Sequence, residues 1–118
     1  MKDILRAANA AIAAGDHEGL LAYCTDDTRW NFVGEQLLLG KDAVRRWMAE
    51  AYKDGPPVVE IDDLIAEGDL LTAVGHVTTT DTSGTSTRAA YCDVWRFRDG
   101  KLAELRAFVI SGARTTDR

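Results

Sequence analysis

An aspartate stands among aromatic residues in the segment Thr87-Arg88-Ala89-Ala90-Tyr91-Cys92-Asp93-Val94-Trp95-Arg96-Phe97. The segment reads as one long strand, and strand side chains alternate between faces. Tyr91, Asp93, Trp95 and Phe97 therefore share a face, and three aromatic rings make it the buried one. A carboxyl on such a wall either has a dedicated partner or keeps its proton to a higher pH than usual. Either case makes Asp93 the leading functional candidate. The competing reading is a structural carboxylate bonded to a neighbour.

The elements that must position it follow from periodicity. Ile4, Leu5, Ala8, Ala11 and Ile12 repeat at helical spacing. Gly15 ends that helix, and Asp16 suits the cap of a second, short helix carrying Leu20, Leu21 and Tyr23. Thr28 to Val33 reads as a strand, and Gly34 and Gly40 bracket a loop. In a third helix Val44, Trp47, Met48, Ala51 and Tyr52 form one apolar stripe, with Asp42 in its first turn. Gly55-Pro56-Pro57 stops it.

The rest reads as β. Strands are expected at Val58–Glu67, Leu70–Thr80, Ser86–Arg98 and Leu102–Ile110, with turns at Gly68-Asp69, Asp81–Thr85 and Asp99-Gly100. An Asp-Gly pair between apolar alternations is a strong hairpin signal. Consecutive strands with short links give an antiparallel sheet. From about Gly112 onward a polar, frayed tail is expected. The expected fold is α+β: three N-terminal helices packed on a curved, mostly antiparallel sheet, a cone-shaped, cystatin-like roll. A cone lined by Trp, Tyr and Phe with few polar groups is a ligand pocket by default.

Bulk properties narrow the partners. The 118 residues fit one domain, and 46% apolar residues suit a globular core. A net charge of −5 argues against nucleic acid, whose phosphates need clustered Lys and Arg. No apolar run approaches the roughly 18 residues of a membrane helix. Met1-Lys2-Asp3-Ile4-Leu5-Arg6 interleaves charges with its apolar residues and does not read as a signal peptide. Cys24 and Cys92 have no framework spacing and read as free thiols of a cytoplasmic protein. There is no Gly-rich phosphate loop, Walker motif or zinc spacing, so neither cofactor nor metal is implied.

The order of these motifs carries a resemblance. Cys-Thr-Asp-Asp-Thr-Arg-Trp-Asn-Phe-Val-Gly, then Gly-Lys-Asp-Ala-Val, then Tyr-Cys-Asp-Val-Trp-Arg-Phe-Arg-Asp-Gly-Lys-Leu-Ala-Glu-Leu-Arg resemble the ketosteroid-isomerase and SnoaL-like polyketide-cyclase superfamily over roughly residues 3–111. This is the nuclear-transport-factor-like cone fold, which hosts isomerases, cyclases, epoxide hydrolases, dehydratases and plain binders. By that resemblance Asn31 falls where isomerases place their catalytic base, and Ala8 falls where they place an oxyanion-donating tyrosine. Asp93 matches the second oxyanion donor, and Tyr23 matches a helix-two tyrosine of a hydrogen-bond network. Classical steroid isomerisation is thereby disfavoured. Ala107 stands where epoxide-hydrolase relatives carry a last-strand aspartate.

SnoaL-like cyclases pair a histidine with an aspartate on adjacent strands, which implies His76 with Asp93. The resemblance points the row Val74, His76, Thr78 into the cone. A histidine near its usual pKa and an aspartate raised by an apolar pocket suit proton transfer at neutral pH. Asn31 either caps a turn before Gly34 or donates its amide to a substrate oxygen. Tyr23, Trp30, Trp47, Tyr91 and Trp95 would supply flat apolar walls, with Leu105 and Val109 completing the lining. Trp30 is open to either face, with Arg29 and Asn31 on the opposite side of its strand.

The implied activity is cofactor-free acid–base proton transfer on a small, apolar, carbonyl-bearing ligand, by an isomerase or aldol-type cyclase. The alternatives are a non-catalytic binder of the same fold and an epoxide-hydrolase-like enzyme. The exposed sheet face, with Cys92, Val94, Arg96, Arg106 and Phe108, implies a homodimer.

Overall fold

A computed structural model of the chain describes residues 1–111. The tail expected from Gly112 lies outside the described residues. Helices α1 (Lys2–Ala13) and α2 (His17–Leu21) come first. They are followed by strands β1 (Cys24–Phe32) and β2 (Gln36–Leu39) and helix α3 (Lys41–Ala51). Then come β3 (Val58–Glu67), β4 (Leu70–Thr80), β5 (Ser86–Arg98) and β6 (Lys101–Ile110). The fold is α+β, with helices on one face of a curved sheet of six strands in the order β2-β1-β6-β5-β4-β3.

The alternating patterns after Pro57 place β3, β4 and β5 with the bounds expected from sequence. The β5–β6 link turns at Asp99 and Gly100 with φ of 53° and 74°, the left-handed pair that a tight hairpin turn requires. Two features differ from expectation. The segment between Gly34 and Gly40 is not a loop. Gln36–Leu39 pairs antiparallel with β1, from Phe32↔Gln36 to Arg29↔Leu39, and buries Leu38. This hairpin separates α3 from the first two helices. The sheet is also mixed, because β6 runs parallel to β1. Short-link reasoning holds only for strands joined by hairpins, and β6 reaches β1 after the whole intervening chain has been crossed.

The core lies between the helices and one face of the sheet. Leu5, Ala8 and Ile12 of α1, Leu20 and Leu21 of α2, and Val44 and Met48 of α3 are buried. Asp16 caps α2 by accepting from the Gly19 amide at 2.9 Å. The sheet answers with Leu71, Ala73, Tyr91, Trp95, Phe97, Leu105 and Ala107. At one end packing is complete: Leu71 and Leu102 have no exposed surface, and Thr28 is fully buried. The Thr28 hydroxyl donates towards the carbonyls of Leu102 and Ala103, at 3.1 and 3.2 Å, where the β1–β6 register shifts.

At the other end β3 carries a bulge between Ile61 and Asp63. A Cβ at Gly75 would come within 1.9 Å of the Glu60 carbonyl oxygen, so the strand crossing here needs glycine. Bulges bend an edge strand and re-aim its groups. Here the Glu60 carbonyl accepts a hydrogen bond from the Tyr91 hydroxyl at 3.2 Å.

Candidate functional site

The helices and the inner sheet face enclose a cavity of about 300 Å³. Leu5, Asn9 and Ile12 line it from α1, and Trp47, Met48, Ala51 and Tyr52 line it from α3. The sheet contributes Trp30 and Phe32, Val59, Ala73, Val77 and Thr79, Tyr91, Asp93 and Trp95, and Leu105, Ala107 and Val109. The volume falls at the small end of the range for small-molecule sites, and a mostly apolar wall with few polar groups is their usual chemistry.

Asp93 sits on the sheet side of this space because β5 alternates as expected, with Tyr91 and Trp95 on the same face. Its cross-strand neighbours are Ala73 on β4 and Ala107 on β6. Two residues that end at Cβ leave the room that the carboxyl faces. What surface Asp93 exposes therefore opens onto the cavity. Burial pushes its carboxyl up to about 7 from the usual 3.8, with no hydrogen bond or cation opposing that effect. At neutral pH such a group is shared between its acid and base forms.

The aromatic wall is continuous. Trp30 meets Trp95 at 5.5 Å and 85°, and Trp47 at 6.2 Å and 65°. Phe32 lies against Trp47 at 4.6 Å, and Trp47 meets Tyr52 at 5.4 Å and 78°. The three pairs among Trp30, Trp95, Trp47 and Tyr52 meet edge to face, and Phe32 is tilted at 31° against Trp47, arrangements that hold the rings in place. Tyr52 and Tyr91 are each pushed up to about 12, chiefly by burial and then by the nearby charge of Asp93. The indole nitrogens of Trp30 and Trp95 are buried without a hydrogen-bond partner among the described residues.

The other expected residues lie elsewhere. The inward row of β4 is Leu71, Ala73, Gly75, Val77 and Thr79, so Val74, His76 and Thr78 face the opposite side of the sheet. His76 pairs in register with Ala90, and its Nδ1 lies 3.2 Å from Asp62 Oδ2. The expected His76–Asp93 pair does not form. Asn31 faces away for the same reason: Trp30 and Phe32 take the inner face of β1. Asn31 lines instead a polar hollow on the outer face with Arg29, Arg96, Glu104 and Arg106. Tyr23 sits after α2, partly exposed, and its carbonyl accepts the Leu102 amide at 2.8 Å. Of the expected lining, the cavity gathers Trp30, Trp47, Tyr91, Trp95, Leu105 and Val109.

Sequence reasoning missed Asn9, Glu35, Tyr52, Val77 and Thr79 as lining residues. Val77 and Thr79 had a signal, since the odd-numbered row of β4 is the more apolar from Leu71 to Val77. Tyr52 was read only as part of a core stripe. Among the described residues no cluster of His, Cys, Asp and Glu is arranged to hold a metal ion. Among the same residues no helix is long and apolar enough to cross a membrane.

The profile of the SnoaL-like domain family matches residues 5–105. No curated protein matches the chain. Similar solved structures include SalBIII, described as an epoxide hydrolase/cyclase-like enzyme in pyran ring formation in the polyether salinomycin. Its TM-score is 0.83 at 20% identity, covering 92% of this chain and 88% of that one. TerC co-crystallised with polyporic acid gives 0.79 at 20% identity, covering 89% and 87%. An NTF2-like protein of unknown function from Cytophaga hutchinsonii gives 0.73 at 22% identity, covering 93% and 99%. Likeness at these identities concerns the fold.

Proposed function

The chain belongs to the SnoaL-like domain family, and from that premise we propose that it is a cofactor-free enzyme of acid–base chemistry. Its ligand is small, largely apolar and carbonyl-bearing, and the reaction is a proton transfer next to the carbonyl, as in isomerisation or aldol-type cyclisation. One observation carries the reading: a carboxyl with no partner among the described residues, raised to about 7 by burial, facing a ring-lined cavity. A general acid or base works best with a pKa near the working pH. Asp93 acts without His76 or Asn31, which lie on the other side of the sheet. The description of SalBIII as an epoxide hydrolase/cyclase-like enzyme supports an enzymatic role for the fold, although pyran ring formation makes a C–O bond and is a different reaction from the one proposed.

Asp93→Asn, assayed on a panel of enones and polyketide-like ketones, tests the reading. A loss of about 10²–10⁴-fold in kcat is expected for a positioned acid or base. Unchanged turnover of a confirmed substrate would remove Asp93 from the mechanism.

A second reading is a non-catalytic binder. It is favoured by the lack of a hydrogen-bonded or cationic partner for Asp93 among the described residues, and a co-purifying ligand returned chemically unchanged would select it.

The same protein is proposed to pair through its outer sheet face. Val74, Cys92, Val94 and Phe108 give that face an apolar centre. Arg29, Arg96 and Arg106 lie towards β1, and Glu60, Asp62 and Asp63 lie on β3 at the opposite side. A two-fold axis through the apolar centre buries it on both copies, while Arg96 is already paired with Asp69 and Glu104, and Glu60 with Arg88, within one chain. Sedimentation showing only monomer at micromolar concentration would contradict the dimer.

A further inference from the structure

Several polar groups border the cavity, and they are not equally available. The Tyr91 hydroxyl already donates to the Glu60 carbonyl at 3.2 Å. The Trp30 and Trp95 N–H groups lack partners, but their nitrogens have essentially no accessible surface, so a ligand in this cavity does not reach them. Tyr52 differs from all three. It lines the cavity, and its hydroxyl is neither sealed in nor hydrogen-bonded among the described residues. It is also close enough to Asp93 to feel the carboxylate's charge.

Its placement is firm. The residue follows the last turn of α3, where its amide still bonds the Met48 carbonyl at 2.9 Å. Its ring is held between Trp47 at 5.4 Å and His17 at 6.2 Å. A phenol fixed by its ring with its O–H unbonded is a donor awaiting an acceptor. Asp93 in its acid form is a second such donor. The cavity thus presents Tyr52 and Asp93 as unengaged donors, with Asn9, Glu35 and Thr79 the other polar side chains of an otherwise largely apolar lining.

We infer that Tyr52 is the second residue to touch the ligand, donating its hydroxyl hydrogen to the carbonyl oxygen whose neighbouring C–H is addressed by Asp93. This rests on the acid–base reading of the cavity and deepens it. In the forward step the Asp93 carboxylate takes the α-proton, the C–H bond breaks, and its electron pair moves onto the ligand oxygen. The Tyr52 hydrogen bond shortens onto the developing enolate without transferring its proton. Return of the proton from the Asp93 carboxyl to carbon closes the cycle, with no net oxidation or reduction. The cavity of about 300 Å³ lies at the small end of the range for small-molecule sites. The substrate class is therefore a compact one- or two-ring ketone or enone.

The test compares 2-tetralone with tetralin, which has the same two rings and lacks the oxygen. Quenching of tryptophan fluorescence reports binding. The wild-type protein is expected to prefer the ketone. Tyr52→Phe, which keeps the ring, should weaken ketone binding about fivefold to tenfold and leave tetralin unchanged, as expected for one lost hydrogen bond. Tyr23→Phe, at a tyrosine that lies outside the cavity lining, should leave the preference intact. A ketone preference that survives Tyr52→Phe, or that the wild-type protein never shows, would overturn the inference. Exchange of the ketone's α-protons in D2O, followed by NMR, separates the two levels. Preference lost in Tyr52→Phe without any wild-type exchange supports the Tyr52 contact and removes the acid–base reading.

Discussion

Thr28 and Asp93 are polar side chains within one sheet, and they are treated in opposite ways. Thr28 has no exposed surface, and its hydroxyl reaches two carbonyls of the neighbouring strand. Large side chains with no exposed surface, Leu71 and Leu102, fill the space around that end. Asp93 has no hydrogen-bond partner among the described residues, stands between two alanines and faces a void. Buried polar groups cost free energy unless they are bonded. The Thr28 end meets that requirement and serves the fold. The Asp93 end leaves it unmet, a local cost retained where a ligand can answer it.

The contrast can be broken from either end. The largest effect is expected from Leu71→Ala at the closed end, a loss of about 2–5 kcal/mol because the site has no free space into which to relax. Urea unfolding would read it, and a loss under about 1 kcal/mol would mean that this end is not tightly packed.

The next effect is pH-dependent. The folded-state pKa of Asp93 is raised above 3.8 to about 7, so the native state binds more protons than the unfolded chain between those values. Stability contributed by this group is therefore fullest below about pH 4 and falls as pH rises towards 7. Relative to Asp93→Asn, the wild-type protein should lose about 3 kcal/mol between pH 5 and pH 8. Parallel stability curves for the two proteins over that range would deny the raised pKa.

Thr28→Val ranks third, at about 1–3 kcal/mol, since it strips the carbonyls of Leu102 and Ala103 of a donor in a dry setting. The smallest effect on stability belongs to Ala73→Leu. The added volume enters existing space, so a change below about 1.5 kcal/mol is expected, together with loss of 2-tetralone binding. Destabilisation well beyond that would show that the space beside Asp93 is already filled.

The closed end and most of the sheet were legible because alternation and turn chemistry are local signals. Asp99-Gly100 fixed one hairpin, and the aromatic row of β5 fixed the face of Asp93. The face of β4 was legible too: Leu71, Ala73, Gly75 and Val77 form an apolar row beside the mixed row of Leu70, Thr72, Val74 and His76. Family likeness pointed the other way and placed His76 inside. Alternation was the better guide there, because a shift of one residue exchanges the two faces of a strand. The parallel pairing of β6 with β1 and the proximity of Tyr52 to Asp93 depend on long-range closure, which no local pattern encodes. Leu37-Leu38-Leu39 marked β2, but its flanking glycines read as a loop.

The state of one carboxyl group decides between a site and a flaw in the core. A carbon-13 NMR titration of the aspartate side chains, with Asp93→Asn to assign the resonance, measures it in the ligand-free protein. The Asp93 signal should titrate near pH 7, about three pH units above an ordinary aspartate. A midpoint near 4 would mean that the group is solvated or paired, and the acid–base account of the cavity would fail.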